Sequence, residues 1–194
     1  MSTTRPTTFL DNKKLTVINL FSGPGVGKST TAAATFAKMK KRGYKVELVH
    51  EAAKDFVWER WGHIFGEQDY IFAHQHRMIR RLVMHDVDYA IVDSSILLGL
   101  FYTPSDFPPS FKQFVEDVFS SYNNINIILE RNQAFQYQQT GRNETHQQAI
   151  NKDQQILDYF TDHNILHHRV VAGDDAEDAI IRIVDNHNRV DNQG

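Results

Sequence analysis

The segment Ser22-Gly23-Pro24-Gly25-Val26-Gly27-Lys28-Ser29-Thr30 constrains this chain more tightly than any other. It lies between an apolar run, Leu15-Thr16-Val17-Ile18-Asn19-Leu20-Phe21, and an alanine-rich helical pattern from Thr30 to Met39. Gly23, Gly25 and Gly27 let the backbone curl and turn its N–H groups inward on an anion. Lys28 and Ser29 follow at the spacing at which a lysine reaches the β- and γ-phosphates and a hydroxyl ligates Mg²⁺. A helix starting near Lys28 adds the positive end of its dipole to the same place. Ser22 stands where the usual pattern has its first glycine, and Gly23-Pro24-Gly25 still supplies the turn. Ser22 to Thr30 is therefore the candidate nucleotide site, taking ATP or another nucleoside triphosphate with Mg²⁺.

The chain has 194 residues, enough for one domain with an adequate core. The expected organisation is a flexible tail over 1–14, a single domain over 15–185 and a second flexible tail over 186–194. No apolar run approaches the roughly 20 residues of a membrane span. Residues 1–14 are polar and lack a signal-peptide core, so a cytoplasmic location is expected. With no cysteine, disulfides and thiolate metal sites are excluded. A net charge of −3 argues against a broad basic surface for nucleic acid, though a local basic groove remains compatible.

Strand and helix patterns alternate five times, which implies a parallel sheet covered on both faces. Tyr44 to His50 is the second strand pattern, and Glu51 follows it. In open parallel sheets ligands sit beyond the carboxyl ends of the strands, which places Glu51 where chemistry is expected. A short aromatic helix, Asp55 to Trp61, and a longer one, Asp69 to Met84, come next. The polar side of the longer helix carries Gln75, Arg77, Arg80 and Arg81, either a solvated face or the wall of a substrate cleft. The third strand, Tyr89 to Asp93, ends in the acid that a phosphate loop needs for its metal, so Ser29 and Asp93 form the expected Mg²⁺ pair. Ser94 and Ser95 stand at the same strand end, within reach of a substrate.

Thr103-Pro104-Ser105-Asp106-Phe107-Pro108-Pro109 reads as a flap or connector, with Ser110 as cap of a helix over Phe111 to Ser121. The fourth strand is expected at Asn126 to Glu130, with Arg131 at its exit, pairing with an acid such as Glu130 or reaching the substrate. Arg131 to Glu144 is polar, rich in glutamine and broken by Gly141. An arginine-bearing segment here suits a lid whose guanidinium groups offset charge on a moving phosphoryl group, and Arg142 is the favoured candidate. A helix from Thr145 to Asn164, a fifth strand over His167 to Ala172 and a last helix over Ala176 to Val184 complete the pattern.

The blocks FSGPGVGKST, VHEAAKDF, IFAHQHRM, YAIVDSSILL and ERNQAFQYQQTGR resemble the small P-loop kinases related to the ribosylnicotinamide kinase domain. That group includes bacteriophage kinases acting on 5-hydroxymethyluracil in DNA. The resemblance runs from Leu15 to Val184. It implies a three-layer α/β P-loop NTPase fold with a five-stranded parallel sheet in the order 2-3-1-4-5 and a lid after the fourth strand. It also implies nucleotide and metal roles for Lys28, Ser29 and Asp93, an acceptor-side carboxylate in Glu51, and a lid arginine in Arg142. The implied reaction moves the γ-phosphoryl of ATP to a hydroxyl of a nucleoside-like acceptor, led by 5-hydroxymethyluracil in phage DNA. A soluble nucleoside or nucleotide kinase and a nucleotide-switched ATPase or binding protein are the alternative readings.

Overall fold

The computed structural model describes residues 15–51, 66–134 and 144–191. Five strands, β1 (Thr16–Phe21), β2 (Val46–Val49), β3 (Tyr89–Val92), β4 (Asn123–Glu130) and β5 (His168–Val171), form one parallel sheet. Its order is β2-β3-β1-β4-β5, the order expected of a P-loop NTPase-like fold. The helices are α1 (Lys28–Lys41), α2 (Gln68–Arg80), α3 (Pro109–Ser120), α4 (His146–Asp162) and α5 (Ala176–Asp191). Short 3₁₀ turns occupy Arg81–Met84 and Ile96–Phe101.

All six residues of β1 are buried, as a central parallel strand covered on both faces requires. Its alternate side chains divide the core in two. Val17 and Phe21 point to the layer of α2, α3 and α4, where Phe21 meets Phe160 edge-on at 4.7 Å. Ile18 and Leu20 point to the layer of α1 and α5, with Ala32, Met39, Ile180 and Val184. Asn19 interrupts the first stripe with an amide 1% exposed. Its Nδ2 donates to Asn124 Oδ1 at 2.9 Å and to Asn126 Oδ1 at 3.3 Å, the latter directly across the β1–β4 ladder. Asn126 in turn donates to the Leu166 carbonyl at 3.0 Å. This polar rung satisfies its own members, so burial does not leave them orphaned.

Element ends follow local chemistry. Helix α1 ends at Arg42 and Gly43, the latter at φ +85°, as a C′ glycine should be. Thr145 caps α4 through a reciprocal capping box with Gln148. Three expectations are corrected. Ser110 does not cap the third helix: α3 starts at Pro109, whose fixed φ suits a first helical position, with Pro108 as the cap residue. The fourth strand begins at Asn123 and not at Asn126, because Asn123, Asn124 and Ile125 pair along the β1 ladder with Thr16, Val17 and Ile18. The last helix runs past Asp185 to Asp191, its middle held by Tyr44 donating to Asp185 and Tyr89 donating to Asn188. The expected tail over 1–14 and the aromatic helix over Asp55 to Trp61 lie outside the described residues, as does most of the segment expected to form a lid.

Helix α2 carries one titratable group deep in its packing. His76, 8% exposed, stacks on Phe72 and shares a 3.0 Å hydrogen bond with the Tyr122 hydroxyl. Burial first, then the Arg80 charge, pushes its pKa from 6.5 down to about 4. Between those values the unfolded chain binds a proton that the native chain refuses, so stability falls as pH drops through this window. Urea unfolding at pH 7 and pH 5 should show this loss, and His76→Gln should make it smaller. Equal losses in both proteins would remove His76 from the acid response.

Candidate functional site

A parallel sheet sends every strand's carboxyl end to one edge, and here that edge gathers the chemistry. Across the sheet the exits of β2, β3, β1 and β4 follow one another in space. They carry, in that order, Glu51, Asp93, the loop 22–27 and Arg131.

The loop is shaped by two left-handed glycines, Gly25 at φ +83° and Gly27 at φ +102°. A side chain at either would strain the backbone. Gly27 is the N-cap of α1, and no side chain caps this helix start. Among the described residues, a Cβ built on Gly27 would meet nothing within 4 Å. Lys28 folds back over the loop, its Nζ donating to the Ser22 carbonyl at 2.9 Å and the Gly23 carbonyl at 3.2 Å. Ser29 and Thr30 are exposed on the first turn, and Val26 is buried beneath it. A helix start that no described side chain caps, with an ammonium group at the loop, suits an anionic phosphate chain.

Gly23 is the glycine that sequence spacing undervalues. A Cβ there would lie 2.5 Å from the Ala149 carbonyl oxygen, 2.9 Å from Asp153 Oδ1 and 3.2 Å from Arg131 Nη2. Ser22, by contrast, accommodates its side chain, buried and with its Oγ donating to the Gly23 carbonyl at 3.0 Å. The close approach to α4 that excludes a side chain thus falls one residue later than the first glycine of the usual pattern.

Asp93 is 5% exposed, and its backbone N–H donates to the Val49 carbonyl at 3.1 Å, fixing it at the β3 exit. Ser95 caps the following 3₁₀ turn by accepting the Leu97 N–H, and Ser94 beside it is half-buried. Glu51 is half-buried at the β2 exit. Gln75 is buried, and its Nε2 donates to the His50 carbonyl at 3.1 Å. It thereby ties α2 to the strand end that presents Glu51. Arg77, Arg80 and Arg81 are exposed. Arg131 pairs with Asp153 rather than Glu130, whose carboxylate takes Arg169 instead. Arg142, Tyr137 and Gly141 lie outside the described residues. Among the described residues no group of three or more His, Asp or Glu could hold a metal ion. A Mg²⁺ between Ser29 and Asp93 would take its other ligands from phosphate and water, as this ion commonly does.

A groove of about 600 Å³ lies elsewhere, along β5 and α5, lined by Asn132, Arg169, Asp174, Arg182 and Asn186 among others. It begins at the same sheet edge but runs along the outer strand, on the far side of β1 from Glu51 and Asp93. The candidate site is the loop and its neighbouring strand exits, where the cation, the acids and the helix start converge.

The contacts around Gly23 predict the effect of a single methyl group. Gly23→Ala should push the loop off α4, weaken ATP binding by tenfold or more and lower the melting temperature. Gly43→Ala, strained at φ +85° but remote from the loop in the chain, should lower the melting temperature alone. Calorimetric titration with ATP and Mg²⁺ beside thermal unfolding reads both, and matched ATP affinities for the two variants would contradict the geometry.

A family model described as an AAA domain matches residues 17–177. Comparison with curated proteins gives no match. Among solved structures, a hexameric APS kinase from Thiobacillus denitrificans is similar at 17% identity, over 80% of this chain and 30% of that one, with a TM-score of 0.34. The chain thus spans less than a third of that protein's length. No described helix is long and apolar enough to cross a membrane. The family match covers the loop, the Asp93 strand end and Arg131 together, and the chain belongs to this AAA domain family.

Proposed function

We propose that this protein is a kinase that moves the γ-phosphoryl group of ATP to a hydroxyl of a nucleoside-like acceptor. The observation that carries the reading is the spatial order of the strand exits. Glu51 on β2, Asp93 on β3 and the loop after β1 are consecutive neighbours. This adjacency supports reading them as a carboxylate for the acceptor, an acid for the metal and a cradle for the donor.

In this reading the loop backbone, Lys28 and the start of α1 bind the β- and γ-phosphates and offset their charge. Ser29 and Asp93 would hold Mg²⁺, which supplies further neutralisation of the phosphate oxygens when bound. Glu51 orients the attacking hydroxyl and takes its proton as the new oxygen–phosphorus bond forms and the bond to the ADP oxygen breaks. Gln75 acts one step back, holding the strand end that carries Glu51. Arg142 keeps the role of an arginine that meets the transferring group. Among acceptors, 5-hydroxymethyluracil in DNA is the leading candidate on the sequence resemblance. Such a base would have to leave the stack, and the exposed Arg77, Arg80 and Arg81 would serve the phosphates beside it. The AAA domain match equally suits an ATPase that transfers to water.

Labelled γ-phosphate offered to free nucleosides, mononucleotides, DNA with 5-hydroxymethyluracil and water alone separates these readings. Label in the modified DNA alone is expected. Label in free nucleosides or mononucleotides would move the acceptor to the soluble class, and rapid acceptor-independent phosphate release would favour the ATPase. Lys28→Ala should abolish transfer to any acceptor. Glu51→Gln should lower kcat by about 10²- to 10⁴-fold with ATP affinity preserved. Undiminished transfer in Glu51→Gln would remove Glu51 from the acceptor side.

A further inference from the structure

We propose that Asp153 and Arg131 form a brace that sets the conformation of the phosphate loop, which makes Asp153 a positioning residue for the triphosphate. The proposal rests on the preceding reading only in taking the loop to hold a nucleoside triphosphate.

Three segments distant in sequence meet at this brace. Asp153, on α4, accepts the Gly23 N–H through Oδ1 at 2.5 Å and the Arg131 Nε through Oδ2 at 2.5 Å. Arg131, at the β4 exit, donates through Nη2 to the Pro24 carbonyl at 2.8 Å. The carboxylate therefore holds the Ser22–Gly23 peptide group directly and the Pro24–Gly25 group through the guanidinium. Both side chains are largely covered, at 23% exposed for Asp153 and 19% for Arg131. Charge-assisted bonds of this kind are stronger than neutral ones, and a planar fork can serve two acceptors at fixed angles as an ammonium cannot.

A carboxylate beside an anion site requires an explanation, because alone it would repel the phosphates. The explanation is the pairing: Arg131 offsets the charge of Asp153, so the brace fixes the loop without presenting a net negative charge to the ligand. Gly23 links the brace to the phosphate-binding lysine. Its N–H is held by Asp153, while its carbonyl accepts Lys28 Nζ. A shift of Gly23 would therefore move both the loop and the ammonium group.

This gives effects that a merely structural ion pair would not. Asp153→Ala removes the acceptor for Gly23 and the partner of Arg131, and should weaken ATP·Mg²⁺ binding by tenfold or more. Asp153→Asn keeps an oxygen for the Gly23 N–H and should lie between that variant and the parent. Arg131→Ala leaves Asp153 charged and uncompensated beside the phosphates. Adding Asp153→Asn to Arg131→Ala should then restore part of the lost affinity, since it removes the repulsion. Asp178→Ala serves as the structural control, because Asp178 binds Lys38 between α5 and α1. It should lower the melting temperature with ATP affinity unchanged.

The measurement is ATP·Mg²⁺ titration calorimetry on the full chain, with thermal unfolding of each variant. Affinity within twofold of the parent in Asp153→Ala overturns the proposal, as does a double variant weaker than Arg131→Ala alone. An equal loss of affinity in Asp178→Ala at matched destabilisation also overturns it. If the parent binds no nucleoside triphosphate, the brace and the kinase reading fall together. If the brace variants behave as expected and no acceptor takes label, the brace stands and the kinase reading falls.

Discussion

The complete burial of β1 between β3 and β4 is the constraint on which the rest depends. A strand paired on both edges and covered on both faces cannot shift along its length without moving two ladders and two core layers. The loop that follows inherits that fixed starting point. Since every neighbouring strand runs parallel to β1, the exits that carry Glu51, Asp93 and Arg131 fall at the same edge. The gathering of these side chains is thus a consequence of strand direction, and only the identity of the residues just beyond each strand is left to selection.

Apolar burial alone does not fix where β1 sits along its partners, since Val, Ile and Leu pack comparably in several registers. Asn19 supplies the missing specificity. Its amide finds Asn124 and Asn126 only in the register Asn19 opposite Asn126. A slip by one residue would turn these amides toward the apolar layer of α1 and α5 and leave them without partners. The polar rung therefore fixes the height of the loop at the sheet edge, three residues beyond Asn19. A functional distance is set by a residue that takes no part in the proposed chemistry.

The fold was legible in the sequence because its signals are local. Phosphate-loop spacing, alternating strand and helix periods and the acid ending the third strand each lie within a few residues. The sheet order came with the resemblance, and the parallel pairing bears it out. What sequence reading missed depends on contacts between distant segments. Arg131 reads from the sequence as the partner of an acid such as Glu130 or as a residue that reaches the substrate; in the structure it pairs with Asp153, twenty-two residues on, while Glu130 takes Arg169 from β5. Gln75 reads from the sequence as part of a solvated face or of a cleft wall, and the structure buries it with a bond to the His50 carbonyl. Nothing local to either residue specifies that partner. Pro109 differs for another reason: a residue that the sequence pattern assigns to a flap or connector serves as the first residue of a helix.

The same distinction explains why the loop can be specific while its sequence pattern is short. Glycine spacing permits a left-handed turn but does not select one conformation, because permissive residues also enlarge the set of alternatives. Selection comes from outside the motif. The peptide group before Gly23 is held at its N–H by Asp153, the one after it at its carbonyl by Lys28, and the Pro24 carbonyl by Arg131. Packing against the Ala149 carbonyl then excludes any side chain at that point. A loop held in this way before the ligand arrives loses less conformational freedom on binding than an unbraced one. Its donors are also oriented in advance, the condition under which fixed dipoles stabilise developing charge most effectively. Preorganisation of the nucleotide site thus resides largely in α4 and the β4 exit, outside the nine residues that identify it.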